Sequence, residues 1–111
     1  MEVEVERYVK LSERVLITKH AQQRLKTRFG ESLEDFLRKV GGIRVLESLY
    51  QLTPLSEQFC VKVGEHQLVL EKMDSKGRRC PRYPEGEVYL VVVTVLSSSM
   101  KWRGNRSRKF H

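Results

Sequence analysis

The sequence predicts an α+β domain: two or three N-terminal helices packed on one face of a small antiparallel sheet. Three observations carry this expectation. Residues 19–52 contain the stripes of amphipathic helices, with Ala21, Leu25 and Phe29 at i, i+4 and i+8. Residues 59–73 alternate apolar and polar positions around Gly64-Glu65, the mark of a hairpin. Residues 88–96 form an apolar run of strand length.

Each element has its own signal. Val3 and Val5, with Tyr8 beyond them, alternate with Glu2, Glu4 and Glu6, which suits either an exposed edge strand or a loose arm. Residues 15–17 are a short apolar lead-in. Thr18 is then an N-cap for a helix over residues 19–29, and Gly30 stops it. Ser32 and Asp35 have the spacing of a capping box and open a second helix as far as Val40, ended by Gly41-Gly42. In residues 43–52, Ile43, Leu46 and Tyr50 suit a helix, while Val45, Leu49 and Pro54 would also fit an extended stretch; helix is the expectation.

In the second half, Gly64-Glu65 fits a type II′ turn, and that turn sets the register. Val63 then faces His66, Val61 faces Leu68 and Phe59 faces Leu70, with Lys62, Gln67 and Glu71 on the other side. The strand over residues 87–96 is apolar on both faces and should be central. Residues 1–99 make one domain, and residues 100–111 a basic tail.

The chain has 111 residues and a net charge of +7, with 21 Lys and Arg against 14 Asp and Glu. Its first nineteen residues are neutral; the excess lies around residues 76–82 and in the tail. Clustered bases point to a polyanion, RNA or DNA, or to an acidic protein face, and otherwise to a surface that is merely basic. The N-terminus lacks an apolar signal region and no apolar run reaches membrane length, so a cytoplasmic chain without a membrane is expected. Cys60 and Cys80 are the only cysteines, and with His66 they match no metal-ligand spacing. Free thiols, no metal and no cofactor are expected.

A helix over residues 19–29 aligns His20, Arg24 and Arg28 beside its apolar stripe. An imidazole and two guanidiniums can hold a phosphate and move a proton. The same residues could equally satisfy a helix start and form a solvated flank toward Glu31, Glu34 and Asp35. The tail adds Lys101, Trp102, Arg103, Arg106, Arg108 and Lys109, with no acid. Cations around an indole suit phosphates and stacked bases. Lys76, Arg78, Arg79 and Arg82 give the preceding loop the same character.

His20-Ala21, Arg24, Arg28 and Gly30 after a short apolar segment, with Val92-Val93-Thr94-Val95 late in the chain, resemble the small phage- and plasmid-borne proteins related to RelE and BrnT toxins. In element order the resemblance spans residues 15–96. It implies a compact fold of the microbial ribonuclease kind and a metal-independent endoribonuclease acting on RNA, with an antitoxin as a candidate partner. The chain departs from the pattern in two respects: Tyr83 lies in a loop, and no tyrosine follows the last apolar strand, where some RelE-type enzymes carry a catalytic one.

Metal-free cleavage needs a base for the 2′-hydroxyl, cations for the phosphorane and an acid for the leaving oxygen. His20 is the candidate base, and Arg24 and Arg28 the phosphate holders, with Lys101 and Arg103 closing over the same phosphate. No acid stands out among Tyr83, Tyr89, His66 and Lys101. Two other classes of function fit the charge: a phage-type effector that binds a host polymerase or nuclease, and a non-catalytic nucleic-acid-binding module.

Overall fold

Val15 and Ile17 are fully buried, and the short strand that carries them decides the topology. In the computed structural model, which describes residues 7–101 and 107–109, β1 (Tyr8–Lys10) and β2 (Val15–Thr18) come first. Then follow α1 (Lys19–Arg24), continued by a π-helical segment (Leu25–Phe29), α2 (Leu33–Val40) and α3 (Ile43–Leu52). The chain ends with β3 (Phe59–Val63), β4 (His66–Asp74), β5 (Val88–Ser97) and β6 (Ser107–Lys109). One six-stranded sheet results, in the order β1-β2-β5-β4-β3-β6.

The expected fold class is corrected by this order. The sheet is mixed, because β2 runs parallel to β5 and β6 parallel to β3. The helices do not lead the chain; β1 and β2 precede them. The physical reason lies in Val15 and Ile17, whose side chains enter the core only if this segment is a strand. Its partners Leu90, Val91 and Val92 lie on the central strand β5, and a parallel partner requires a long return path. The three helices lie on that path.

Local chemistry explains the elements. The Thr18 hydroxyl accepts the Ala21 N–H at 2.9 Å and caps α1. Ser32 and Asp35 form a reciprocal capping box at the start of α2. Gly30 and Gly41 end their helices in the left-handed region, at φ +65° and +103°. The β3–β4 hairpin has the register that its turn predicts, Val63 opposite His66 through Phe59 opposite Leu70. β5 is central, as its two apolar faces require, and a bulge leaves Val93 without a partner on β4.

Ala21, Leu25, Phe36, Leu46 and Leu49 from the helical segments meet Ile17, Leu68, Leu70 and Val92 in one core on one face of the sheet. The opposite face buries Cys60, Gln67, Val69, Glu71 and Val91 outside that core. Part of its cover is the loop of residues 75–87, which folds back so that Arg79 bridges Met73 and the Cys80 N–H reaches the Lys72 carbonyl at 2.8 Å. The Gln67 amide donates to the Ser97 carbonyl at 2.7 Å and to that of Met100, drawing the end of β5 over this face. Beyond it, Ser107–Lys109 of the expected tail pairs along β3. Trp102, Arg103 and Arg106 lie outside the described residues, as do Glu2, Glu4, Glu6, Val3 and Val5.

Candidate nucleic-acid cleft

β1 and the start of α1 are tied together by the Lys19 N–H, which donates to the Arg7 carbonyl at 2.9 Å. Tyr8 pairs with Thr18 across the same ladder. This junction forms one wall of an open cleft of about 390 Å³. Arg7, Tyr8, Lys19 and His20 line that wall, and Glu71 and Arg79 reach the cleft from β4 and the loop. Val91 and Val93 of β5 also line it. His20 is the second residue of α1 and is exposed. Three cations and an imidazole therefore share an opening with one carboxylate.

The carboxylate is committed elsewhere. Glu71 is buried, and both of its oxygens take N–H groups of Arg79, one through Nε and the other through Nη2 at 3.0 Å. Oε1 also accepts the Gln58 amide at 2.9 Å and the Cys80 thiol at 3.7 Å. Such a saturated carboxylate is a positioning group. It fixes the Arg79 fork while leaving that side chain 58% exposed. A guanidinium has five N–H donors, and only two of them serve Glu71, so the remainder can meet a phosphate. Burial, followed by the charge and hydrogen bond of Glu71, pushes the Cys80 thiol up to about 11. That thiol is a donor to Glu71, not a nucleophile.

The predicted site residues are distributed as follows. His20 and Arg79 reach the cleft. Arg24 is half-buried further along α1, and neither it nor Arg28 is among the lining residues. Arg28 is exposed and its Nη1 lies 3.8 Å from the Met100 sulfur. The cleft opens at the first turn of α1, one turn before Arg24. From Leu25 onward the i→i+5 bonding of the π-helical segment widens the turn and takes Arg28 out of line with His20 and Arg24. Arg78 is held by Asp74 at 2.9 Å and Glu85 at 3.5 Å. Lys76, Arg82 and Lys101 are exposed, with no ion pair among the described residues. Arg108 and Lys109 belong to β6, where their backbone pairs with Val61 and Lys62.

Arg7, Lys19 and Glu71 were not singled out by the sequence as site residues. Glu71 had one signal: it is a carboxylate in a strand otherwise rich in apolar residues, on the face away from the helices. Cys60 and His66 fall on opposite faces of the sheet, the former bonded to Gln67 at 3.6 Å and the latter to Glu31 at 2.9 Å. Among the described residues, no group of three or more His, Cys, Asp or Glu side chains gathers as a metal ion would need. No described helix is long and apolar enough to cross a membrane. Set against protein-family models, curated proteins and solved structures, the chain matches none of them.

Proposed function

We propose that the protein is an RNA-directed, metal-independent endoribonuclease of the RelE-like type, with the cleft beside α1 as its active site. The observation that carries this reading is that His20 and the Glu71-held Arg79 line one opening together with Arg7 and Lys19. The phosphate of the scissile bond lies against Arg79, Lys19 and Arg7, whose N–H donors neutralise the charge of the pentavalent transition state. His20 takes the proton of the 2′-hydroxyl as its oxygen attacks phosphorus. The bond from phosphorus to the 5′-oxygen breaks, and the leaving oxygen takes a proton from the Tyr8 phenol or from water. The products are a 2′,3′-cyclic phosphate and a 5′-hydroxyl. Arg24 and Arg28, farther along the same helix, serve the flanking phosphates.

Cleavage of a single-stranded RNA in EDTA by the full chain tests the reading. His20→Ala should lower the rate by roughly 10²- to 10⁴-fold, the range for one general base. Arg79→Ala should lower it as well, with weaker binding. A rate unmoved by His20→Ala removes the imidazole from the chemistry. Binding without any cleavage in the intact protein would leave a nucleic-acid-binding module in place of an enzyme.

A further inference from the structure

Among the exposed large apolar and aromatic side chains of the described residues, Tyr83 stands furthest into water, 80% exposed. A tyrosine left in solvent forfeits the burial that most aromatic rings gain, so its position asks for a partner. The loop beneath it is tightly held. The Asp74 carboxylate accepts the backbone N–H groups of Lys76, Arg78 and Glu85 at 3.0, 3.1 and 2.9 Å. Arg78 is clamped by Asp74 and donates from Nη2 to the Tyr83 carbonyl at 2.9 Å. Ser75 closes the neck by donating its hydroxyl to the Glu85 carbonyl at 2.7 Å. Gly86 sits beside that neck at φ +76°, where a Cβ would overlap the Ser75 hydroxyl. Pro84 restricts the Tyr83 backbone to extended conformations, and Pro81 is buried. The backbone that carries the ring thus has little conformational freedom left to lose.

Charge indicates what covers it. Arg78 is held by Asp74 and Glu85 and Arg79 is anchored in the cleft by Glu71, whereas Lys76 and Arg82 on the same loop are exposed and without ion pairs among the described residues. Arg79 lies in the cleft only four residues before Tyr83, a span of at most about 14 Å of extended chain. We propose that Tyr83 is a stacking platform for one unpaired base of a single-stranded RNA, with Lys76 and Arg82 holding the neighbouring phosphates. The proposal rests on the reading of the cleft as an RNA site and deepens it, by making the substrate single-stranded. An aromatic face flanked by free cations is the combination that takes unpaired bases, while a duplex keeps its base faces stacked internally.

The test measures fluorescence anisotropy of the full chain with a 2′-O-methyl single strand, which binds without being cut. Its comparators are the same sequence as a duplex, the deoxy single strand, and heparin, a polyanion without bases. Tyr83→Ala should weaken binding of the 2′-O-methyl strand roughly five- to 150-fold, the range for loss of one stacked base. Tyr83→Trp and Tyr83→Phe should keep it, and duplex and heparin affinities should stay constant. An unchanged thermal midpoint in Tyr83→Ala shows that the fold is intact. Equal affinity of all Tyr83 variants for the 2′-O-methyl strand overturns the platform, and so does an equal loss for heparin. Tighter binding of the deoxy strand overturns it as an RNA surface. If the 2′-O-methyl strand depends on Tyr83 but RNA is never cut, the platform stands and the nuclease reading fails. If cleavage depends on His20 while Tyr83 is neutral, only the platform fails. Binding of an acidic protein with no oligonucleotide bound overturns both.

Discussion

Glu31 has the most constrained environment of any charge in the helical core. One of its oxygens meets His66 Nε2 at 2.9 Å and the other meets Lys39 Nζ at 2.7 Å. Burial pushes its carboxyl up, but the hydrogen bonds from Lys39 and His66 outweigh burial and hold it below the ordinary range. An ionised carboxylate only accepts, so His66 Nε2 carries the proton. The ring cannot turn to water, since Phe29 lies 4.7 Å from its centroid and Phe36 meets it edge-on at 5.5 Å. Glu31→Ala would strand that buried N–H, at a cost of about 1–3 kcal/mol. Urea midpoints at pH 7 check this, and an unchanged midpoint would show that the pair contributes nothing net. Asp74 offers the pH-dependent case. Burial raises its carboxyl, but the Glu85 and Arg78 N–H groups and the Arg78 guanidinium bring it down to about 2. The folded value lies below the ordinary 3.8, so the stabilisation is whole above that value and fades as pH falls through about 2. Protection factors of the Lys76, Arg78 and Glu85 amides should fall over that window. In Asp74→Asn they should be low throughout and independent of pH.

At the scale of elements, Thr18 welds α1 to the sheet. Its hydroxyl accepts the Ala21 N–H at 2.9 Å and donates to the Val93 carbonyl at 2.7 Å. Val93 is the residue left over at the β5 bulge, so this bond satisfies a carbonyl that the bulge frees from regular pairing. Thr18→Val keeps the shape and loses both bonds. The expected cost is about 1–3 kcal/mol, with a fall in melting temperature of roughly 4–8 °C per kcal/mol. Cleavage should fall as well, because His20 stands in the turn that Thr18 caps. A melting temperature equal to that of the native chain would mean that water replaces both bonds. The cap itself was legible in the sequence, as were the Ser32–Asp35 box and the hairpin register, because each is set by residues a few positions apart. The parallel pairing of β2 with β5 was not. Residues 15–18 are too few to show alternation, and their partner at Leu90 lies on the far side of every other core element. The cleft was hidden for the same reason, since Arg7, His20, Glu71 and Arg79 come from separate segments. The π-helical widening after Arg24 also has no mark in a sequence that reads as continuous helix.

For the whole molecule, a net charge of +7 says little until its cations are sorted by what holds them. Arg78 is spent on Asp74 and Glu85, while Arg79 keeps free donors despite Glu71. Lys19 and Arg7 open onto the same cleft as Arg79. Each cation that meets a phosphate of a single strand should add about 0.7 to the slope of log affinity against log salt. Deleting the tail from residue 100 is a poor way to measure this. Such a deletion would remove the Met100 carbonyl that Gln67 uses and the β6 strand that pairs with β3. Single neutralisations leave the sheet whole. Lys19→Gln and Arg79→Gln should each flatten the slope by about 0.7, and Arg78→Gln should leave it nearly unchanged, because that side chain already faces carboxylates. Titrations of a 2′-O-methyl strand between 50 and 200 mM salt, a window over which phosphate contacts register strongly, read these slopes directly. Should Arg78→Gln flatten the slope while Lys19→Gln and Arg79→Gln do not, the phosphates run over the outer surface of the loop and the cleft beside His20 loses its claim to the substrate.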